Sequence, residues 1–380
     1  SFRDGFQAES ADDWQRFGDP WSRRRDSHEV LVHFSDMTVR AVPYDMPILG
    51  YGTNNIGTLR LWQSEAVEDF DFQLFNEQEY ALAMLKRNAV EDITRVLYPN
   101  DSTVAGKKLR LKQQYFLSSA SLQDIIMGFK RESRPIESFA DYVTIQLNDT
   151  HPTVSIPELI RLLMLEGLDF EQAFLIAQRT FNYTNHTIMT EALEKWDVDL
   201  FSAVIPEIFD IIYRINTRLC GELMAKGLDC APMAIIQQKT IHMANLAIYG
   251  SSFVNGVAEI HSNILRTDLL KDWYAVYPER FQNKTNGITQ RRWLGVCNPE
   301  LCEFLDERIG AGYIKDLGHI AALREHQSDE DVRAFNAVKR TKKEQLSAHI
   351  AAREGVLLPP DFLFDVQVKR MHEYKRQLLN

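Results

Sequence analysis

The chain opens with a turn-rich, aromatic stretch in which short apolar runs predict strands over residues 29–34, 38–42 and 58–62. The spacing then becomes helical: residues 77–88 predict a helix with Tyr80, Met84 and Leu85 on one face. A turn cluster, Tyr98-Pro-Asn-Asp-Ser102, precedes a long helix predicted from residue 107 to about residue 130. Residues 142–147 read as a compact strand. Polar Asn148-Asp-Thr-His-Pro152 follows, then a helix from about Pro157. Open α/β sheets hold ligands where a strand's C-terminal end runs into such a polar loop and helix. Phe181-Asn-Tyr-Thr-Asn-His-Thr187 is a second loop of this kind, and helices over residues 207–226 and 237–249 follow it. Residues 281–293 are turn-rich and polar, which places a domain boundary just before or within them. Residues 329–353 read as an exposed helix, which leads through the Pro359-Pro360 break into the last stretch. There Phe364, Val366 and Val368 alternate with Asp365, Gln367 and Lys369, as in a strand, before a helical pattern with Tyr374 and Leu378 four apart.

A chain of 380 residues is long for one domain, so two are expected, residues 1–283 and 284–380. Hydrophobic residues make up 45% and charged residues 25%, the balance of a globular protein with ample core. A net charge of -10 argues against non-specific nucleic-acid binding and leaves a small uncharged or anionic substrate open. There is no secretory signal pattern and no apolar run long enough to span a membrane, so no membrane partner is expected. The four cysteines, Cys220, Cys230, Cys297 and Cys302, form no C-x-x-C pair and are too sparse for a disulfide framework, so buried free thiols in a reducing cytosol are expected. Asn380 falls inside a helical pattern without a stop signal, and one strand with half a helix cannot complete a parallel α/β domain; the chain is therefore expected to be an internal piece of a longer protein.

The chemistry concentrates near the end. Lys369, Arg370, His372, Lys375 and Arg376 gather where the strand pattern turns into the helix pattern. Helix starts ordinarily favour acidic side chains. A cationic start reads either as a solvated basic face or as a site completed by an external anion. Asp149 and His151, two apart, could form half a metal site, but no further ligands cluster nearby and no metal is expected. His186 is either a structural hydrogen-bonder of its loop or a donor to a sugar hydroxyl. Asn286 is either the left-handed residue of an Asn-Gly turn or a hydroxyl contact.

Eight motifs, in order, carry a resemblance. They are Ala11-Asp-Asp-Trp14, Leu97-Tyr-Pro-Asn-Asp101, Gln146-Leu-Asn-Asp-Thr-His-Pro152, Tyr183-Thr-Asn-His186, Glu191-Ala-Leu-Glu194, Val254-Asn-Gly-Val257, Lys284-Thr-Asn-Gly-Ile288 and Asp365-Val-Gln-Val-Lys-Arg-Met-His-Glu-Tyr-Lys-Arg-Gln377. Together they resemble the α-glucan phosphorylases. The resemblance implies an α/β fold of the two-domain glycosyltransferase type with facing Rossmann-like domains, the second incomplete here. It implies retaining phosphorolysis of an α-1,4-glucan by orthophosphate to glucose 1-phosphate, in a cytoplasmic homodimer dependent on pyridoxal 5'-phosphate. The family's Schiff-base lysine lies downstream of this segment, so the segment alone is expected to be inactive.

By the same resemblance, Lys369 and Trp293 meet the cofactor, although Trp293 reads equally well as a core tryptophan. Arg370 and Lys375 hold the substrate phosphate. His186 contacts the transferred glucose, and Asn286, Asp149 and His151 contact sugar. Asp101 belongs to a loop guarding the site, with His372 as its partner when phosphate is absent. The helix at 77–88 corresponds to one that packs on a second subunit, while packing on the chain's own core is as compatible with its pattern.

Two departures matter. Thr190 and Gln290 stand where the family usually has proline. Met127 and Gly128 stand where regulated members carry the two arginines that hold an activating nucleotide, so no nucleotide activator is expected. Two other functions remain open to the sequence: a nucleotide-sugar glycosyltransferase and a non-catalytic glucan-binding or dimerisation module.

Overall fold

The computed structural model describes residues 2–3, 6–7, 21–67 and 71–366. The chain divides into two compact units, Ser1–Thr285 and Asn286–Asn380.

The first unit contains two main sheets. In the antiparallel one, Thr38–Leu49 lies between Val30–His33 and Ile56–Ala66 on part of its length, with Arg23–Arg24 pairing further along. Val30, Val32, Val39 and Ala41 point into the core, while Leu31 and His33 are exposed. This period of two is the half-buried pattern that the sequence carries there. The sheet packs on the long helix Val104–Arg131, where Trp62 donates to Ser121 Oγ at 3.0 Å. The helix also contacts Ser155–Leu165, so its buried side chains, among them Leu111, Phe116, Leu122 and Ile126, face more than one element.

The second sheet is parallel, with spatial order Ile145–Asn148, Phe181–Thr184, Phe253–Gly256, Phe281–Asn283, the same as the chain order. Leu147, Phe181, Tyr183 and Val254 bury one face. The other face carries a polar ladder: Gln146 Nε2 donates to Thr184 Oγ1 at 2.8 Å, and Thr184 Oγ1 donates to Asn255 Oδ1 at 3.0 Å. All four strands run the same way, so their C-terminal ends, and the loops that follow, gather at one edge.

Five expectations are corrected. The loop expected over 181–187 opens with the central strand Phe181–Thr184, and only the residues after Thr184 are loop. The helix expected over 77–88 is broken: Phe72–Asn76, Tyr80–Ala83 and Leu85–Arg95 are separate helices, with Gln78 at φ 68 between the first two. A side chain in that left-handed region ends a helix. Tyr80 and Leu85 are 54% and 60% exposed, and the core is met by Ala83, Val90 and Ile93 instead.

The helix expected over 237–249 begins only at Met243. Before it, Ile236–Gln237 pairs antiparallel with Thr240–His242, which pairs in turn with Lys195–Asp197. Gln238 and Lys239 both have positive φ, 46 and 64, as a two-residue hairpin turn requires. Gln-Lys is not the usual Asn-Gly pair, so the turn left no signal. The strand expected over 142–147 begins at Ile145, because residues 139–142 complete a short helix, Phe139–Tyr142.

Cys220 and Cys230 are joined in a disulfide, contrary to the expected free thiols. Helix Pro206–Ala225 ends close to Cys220, and the turn beyond it brings the two Cα atoms to 5.2 Å. Cysteine spacing alone does not reveal such a turn. Cys297 and Cys302 are unbonded thiols, the former exposed.

In the second unit, helix Pro299–Ile309, capped by Asn298, and helix Asp329–Glu354 are joined by Arg308 donating to Asp331 at 2.7 Å. Phe304, Leu305 and Tyr313 form its buried cluster. Ser328 and Asp331 make a reciprocal capping box at the start of the last helix, and Gly355 at φ 70 ends it. No strand occurs among the described residues of this unit, and residues 361–366 are not extended into one.

Candidate active site

Four of the motifs meet at the C-terminal edge of the parallel sheet. Asp149 follows the strand Ile145–Asn148 in a left-handed conformation, φ 74, with its N–H donated to Thr184 O at 3.0 Å. That turn sends the chain into the 3-10 segment His151–Val154 and the helix Ser155–Leu165. On the next strand, Asn185 N donates to Asn255 O at 2.9 Å, and Lys284 N donates to Gly256 O at 3.2 Å across the following pair.

Asn185 is fully buried and holds its own loop. Its Oδ1 accepts from Thr187 N at 3.0 Å and from His261 Nε2 at 3.2 Å. His261 Nδ1 accepts from Val257 N, which puts the ring proton on Nε2. Pinned in this way, the loop presents His186, whose Nε2 lies 2.5 Å from Asn148 Oδ1. A carbonyl oxygen only accepts, so His186 carries its proton on Nε2. The structure thus ties His186 to the residue preceding Asp149.

A cleft of about 860 Å3 is lined by Asp101, Arg110, Asp149, His151 and Glu194, among others. Arg110, on the long helix, donates to Asp101 Oδ2 at 2.6 Å and to His151 Nε2 at 3.2 Å. A guanidinium has no acceptor, so His151 keeps its proton on Nδ1, which faces Asp149 Oδ2 at 3.7 Å. Carboxylate, guanidinium, imidazole and carboxylate alternate along one wall. Such a wall offers both donors and acceptors, as hydroxyl-rich ligands require. His186 does not line this cleft.

Arg110 and Glu194 had no assigned role in the sequence. Arg110 reads there as one more cation on a polar helix face, and Glu194 as the end of a motif without chemistry of its own. Glu194 Oε1 accepts from Gln114 Nε2 at 2.7 Å, and its buried Oε2 has no hydrogen-bond partner among the described residues. Burial pushes its carboxyl above the ordinary range, opposed by the Gln114 hydrogen bond and by His151 and Arg110.

A raised acid binds a proton in the native state at pH values where the unfolded chain has lost it. Stability therefore falls as pH rises from the ordinary glutamate range through the folded value. Glu194→Gln is expected to flatten that slope, so that the variant gains on the wild type as pH rises in thermal melts between about pH 4 and 8. A variant that instead loses ground with rising pH would show that its neighbours hold Glu194 ionised.

The remaining sequence candidates lie elsewhere. Asn286 is exposed and opens the second unit. Trp293, 63% exposed, is not a core tryptophan of the described unit. An exposed indole face fits the packing need of a planar cofactor ring. Lys369, Arg370, His372 and Lys375, and the Ala11–Trp14 motif, lie outside the described residues. Among the described residues, no group of three or more His, Cys, Asp or Glu side chains could hold a metal ion, and no helix is long and apolar enough to cross a membrane.

The family model for carbohydrate phosphorylases matches residues 1–380. The chain is 45% identical over 409 aligned positions to the liver form of glycogen phosphorylase from Homo sapiens, covering 100% of this chain and 48% of that protein. It is 46% identical over 407 positions to the muscle forms from Mus musculus and from Oryctolagus cuniculus, in each case covering 99% of this chain and 48% of the relative. The chain therefore spans about half the length of the curated relatives it matches.

Proposed function

The chain belongs to the carbohydrate phosphorylase family, and on that premise we propose that it is part of an α-glucan phosphorylase of the two-domain glycosyltransferase type, residues 1–283 belonging to the first domain and 284–380 opening the second. The reaction is retaining phosphorolysis. The bond between C1 of the terminal glucose and the 4-oxygen of the next breaks, C1 bonds to a phosphate oxygen, and a proton reaches the leaving 4-oxygen. The products are glucose 1-phosphate and a glucan shorter by one unit.

The observation that carries this reading is the wall of Asp101, Arg110, His151 and Asp149 at the end of a parallel strand. In this reading Asp149 and His151 bind sugar hydroxyls, and His186 and Asn286 are assigned to the glucose being transferred by the family resemblance. Arg370 and Lys375 hold the substrate phosphate, while Asp101 guards the entrance and pairs with His372 when phosphate is absent. The family also implies pyridoxal 5'-phosphate, which Lys369 and Trp293 would hold. Bound there, the group supplies a phosphate that exchanges a proton with the substrate phosphate.

Tyr80, Leu82 and Leu85 are exposed together and suit a homodimer contact. A cytoplasmic location is proposed on family grounds alone, since the free-thiol argument fails with the Cys220–Cys230 bond. Met127 is packed against the core and, with Gly128, offers no charge to an anion. No nucleotide activation is expected.

The test is glucose 1-phosphate release from maltodextrin and orthophosphate by the full-length protein, with and without added pyridoxal phosphate. Cofactor-dependent release, unchanged by AMP, is expected. A folded, cofactor-loaded protein that releases none would overturn the reading, and several-fold stimulation by AMP would overturn its regulatory part.

A further inference from the structure

We propose that Gly106 is a positioning residue, the seat that holds the Asp101 loop against the long helix and so sets the charge of the cleft. Gly106 is the third residue of helix Val104–Arg131, and its N–H donates to the capping Thr103 Oγ1 at 3.1 Å. Helices intrinsically favour alanine over glycine, so a glycine here needs another reason. The loop supplies it. A Cβ on Gly106 would lie 2.0 Å from the carbonyl oxygen of Asn100, 3.0 Å from its carbonyl carbon and 3.1 Å from Cα of Asp101. These are backbone atoms, with no flexible side-chain end to swing away, so any side chain must lift the loop.

The loop is otherwise held by short-range bonds. Asn100 Oδ1 accepts from Ser102 N at 2.9 Å, and Thr103 O accepts from Lys107 N at 2.9 Å. The first bond can travel with the loop, and the second ties only its end at Thr103 to the helix; the approach of Asn100 to Gly106 is what a side chain there would block. Gly106 and Arg110 are four apart and share a helix face. A loop seated on the first turn therefore brings Asp101 onto the guanidinium one turn later, at 2.6 Å, while the same guanidinium reaches His151. With the loop lifted, Arg110 keeps His151 and loses its carboxylate partner, and the cleft loses a negative charge at its rim.

The functional consequence rests on the phosphorylase reading above. A dianionic substrate is disfavoured by a fixed carboxylate and favoured by an unpaired guanidinium. In the full-length enzyme, Gly106→Ala is expected to lower KM for orthophosphate several-fold with kcat within about twofold. Asp101→Asn is expected to lower the same KM, and the double variant to show no further shift in it, because both act through one contact. Gly128→Ala, at a glycine of the same helix with open space around it, is the control and should change neither quantity.

Hydrogen exchange reports the seat itself, while the KM shift at near-constant kcat is the readout that a merely structural role would not give. Residues 98–103 should exchange faster in Gly106→Ala, with the helix beyond residue 107 unchanged. Wild-type exchange in this loop would overturn the proposal, as would shifts in KM that add in the double variant. The exchange measurement needs no turnover, so a protein without phosphorylase activity would sink the functional reading while the seat itself is still decided.

Discussion

Glu158→Ala is expected to lower the free energy of unfolding by about 3–5 kcal/mol, the cost of stranding a buried ionic partner. Glu158 is fully buried on helix Ser155–Leu165, where that helix meets the long helix. Its two oxygens accept four hydrogen bonds. Ser119 Oγ and Tyr115 OH donate from the long helix at 2.7 and 3.1 Å. Arg161, one turn along, donates through Nε at 2.8 Å and through its second terminal nitrogen at 2.9 Å. Burial, with the negative charge of Glu158 beside it, pushes the Tyr115 hydroxyl above its ordinary range, so it stays a donor.

Alanine would leave a largely buried guanidinium and two buried hydroxyls without their acceptor, and would open a void between the helices. Glu158→Gln preserves the shape but not the charge and should fall between. Urea unfolding is the check: a large drop in midpoint with an unchanged slope is expected. A loss below about 1 kcal/mol would mean that Arg161 finds another partner, with Glu207, 3.5 Å away, the nearest at hand.

Arg370→Ala is expected to cut kcat/KM for phosphorolysis by roughly 10²–10³, the range for removing one group that stabilises transition-state charge. The reasoning is electrostatic. The proposed reaction brings substrate phosphate beside cofactor phosphate in a site that excludes water, where like charges repel far more than in solution. Cations must offset that repulsion, and this acidic chain, at net charge -10, concentrates Lys369, Arg370, Lys375 and Arg376 within eight residues of each other. Arginine adds a planar fork that grips two oxygens, so Arg370→Lys should recover part of the loss and no more. The measurement is initial rate against orthophosphate at saturating maltodextrin, with cofactor content determined alongside. A variant within tenfold of the wild type and fully loaded with cofactor would remove Arg370 from the site.

Much of this was legible in the chain itself. The long helix, the helix after Pro206 and the last helix lie close to their expected bounds, because caps and helix-favouring composition are local. The polar loop Asn148–Pro152 was visible after an apolar strand, whereas residues 181–184 read as loop and form the strand Phe181–Thr184. Less legible was anything that depended on which elements pack together. The Gln238-Lys239 turn is left-handed without a glycine, so helical spacing was read through it. Tyr80 and Leu85 carry an apolar face that the chain's own core does not cover.

The sequence by itself determined the family, the place of the long helices and the residue types on which the proposed phosphate and sugar chemistry draws. Each is encoded over a few residues, where backbone preference and side-chain chemistry act without long-range help. Tertiary structure alone decided that Cys220 meets Cys230, that Glu194 accepts from Gln114, eighty residues away, and that Arg110 stands between Asp101 and His151. The physical reason is reach: a hydrogen bond works within about 3 Å, and only the packing of helices and sheet brings residues far apart in sequence to that distance.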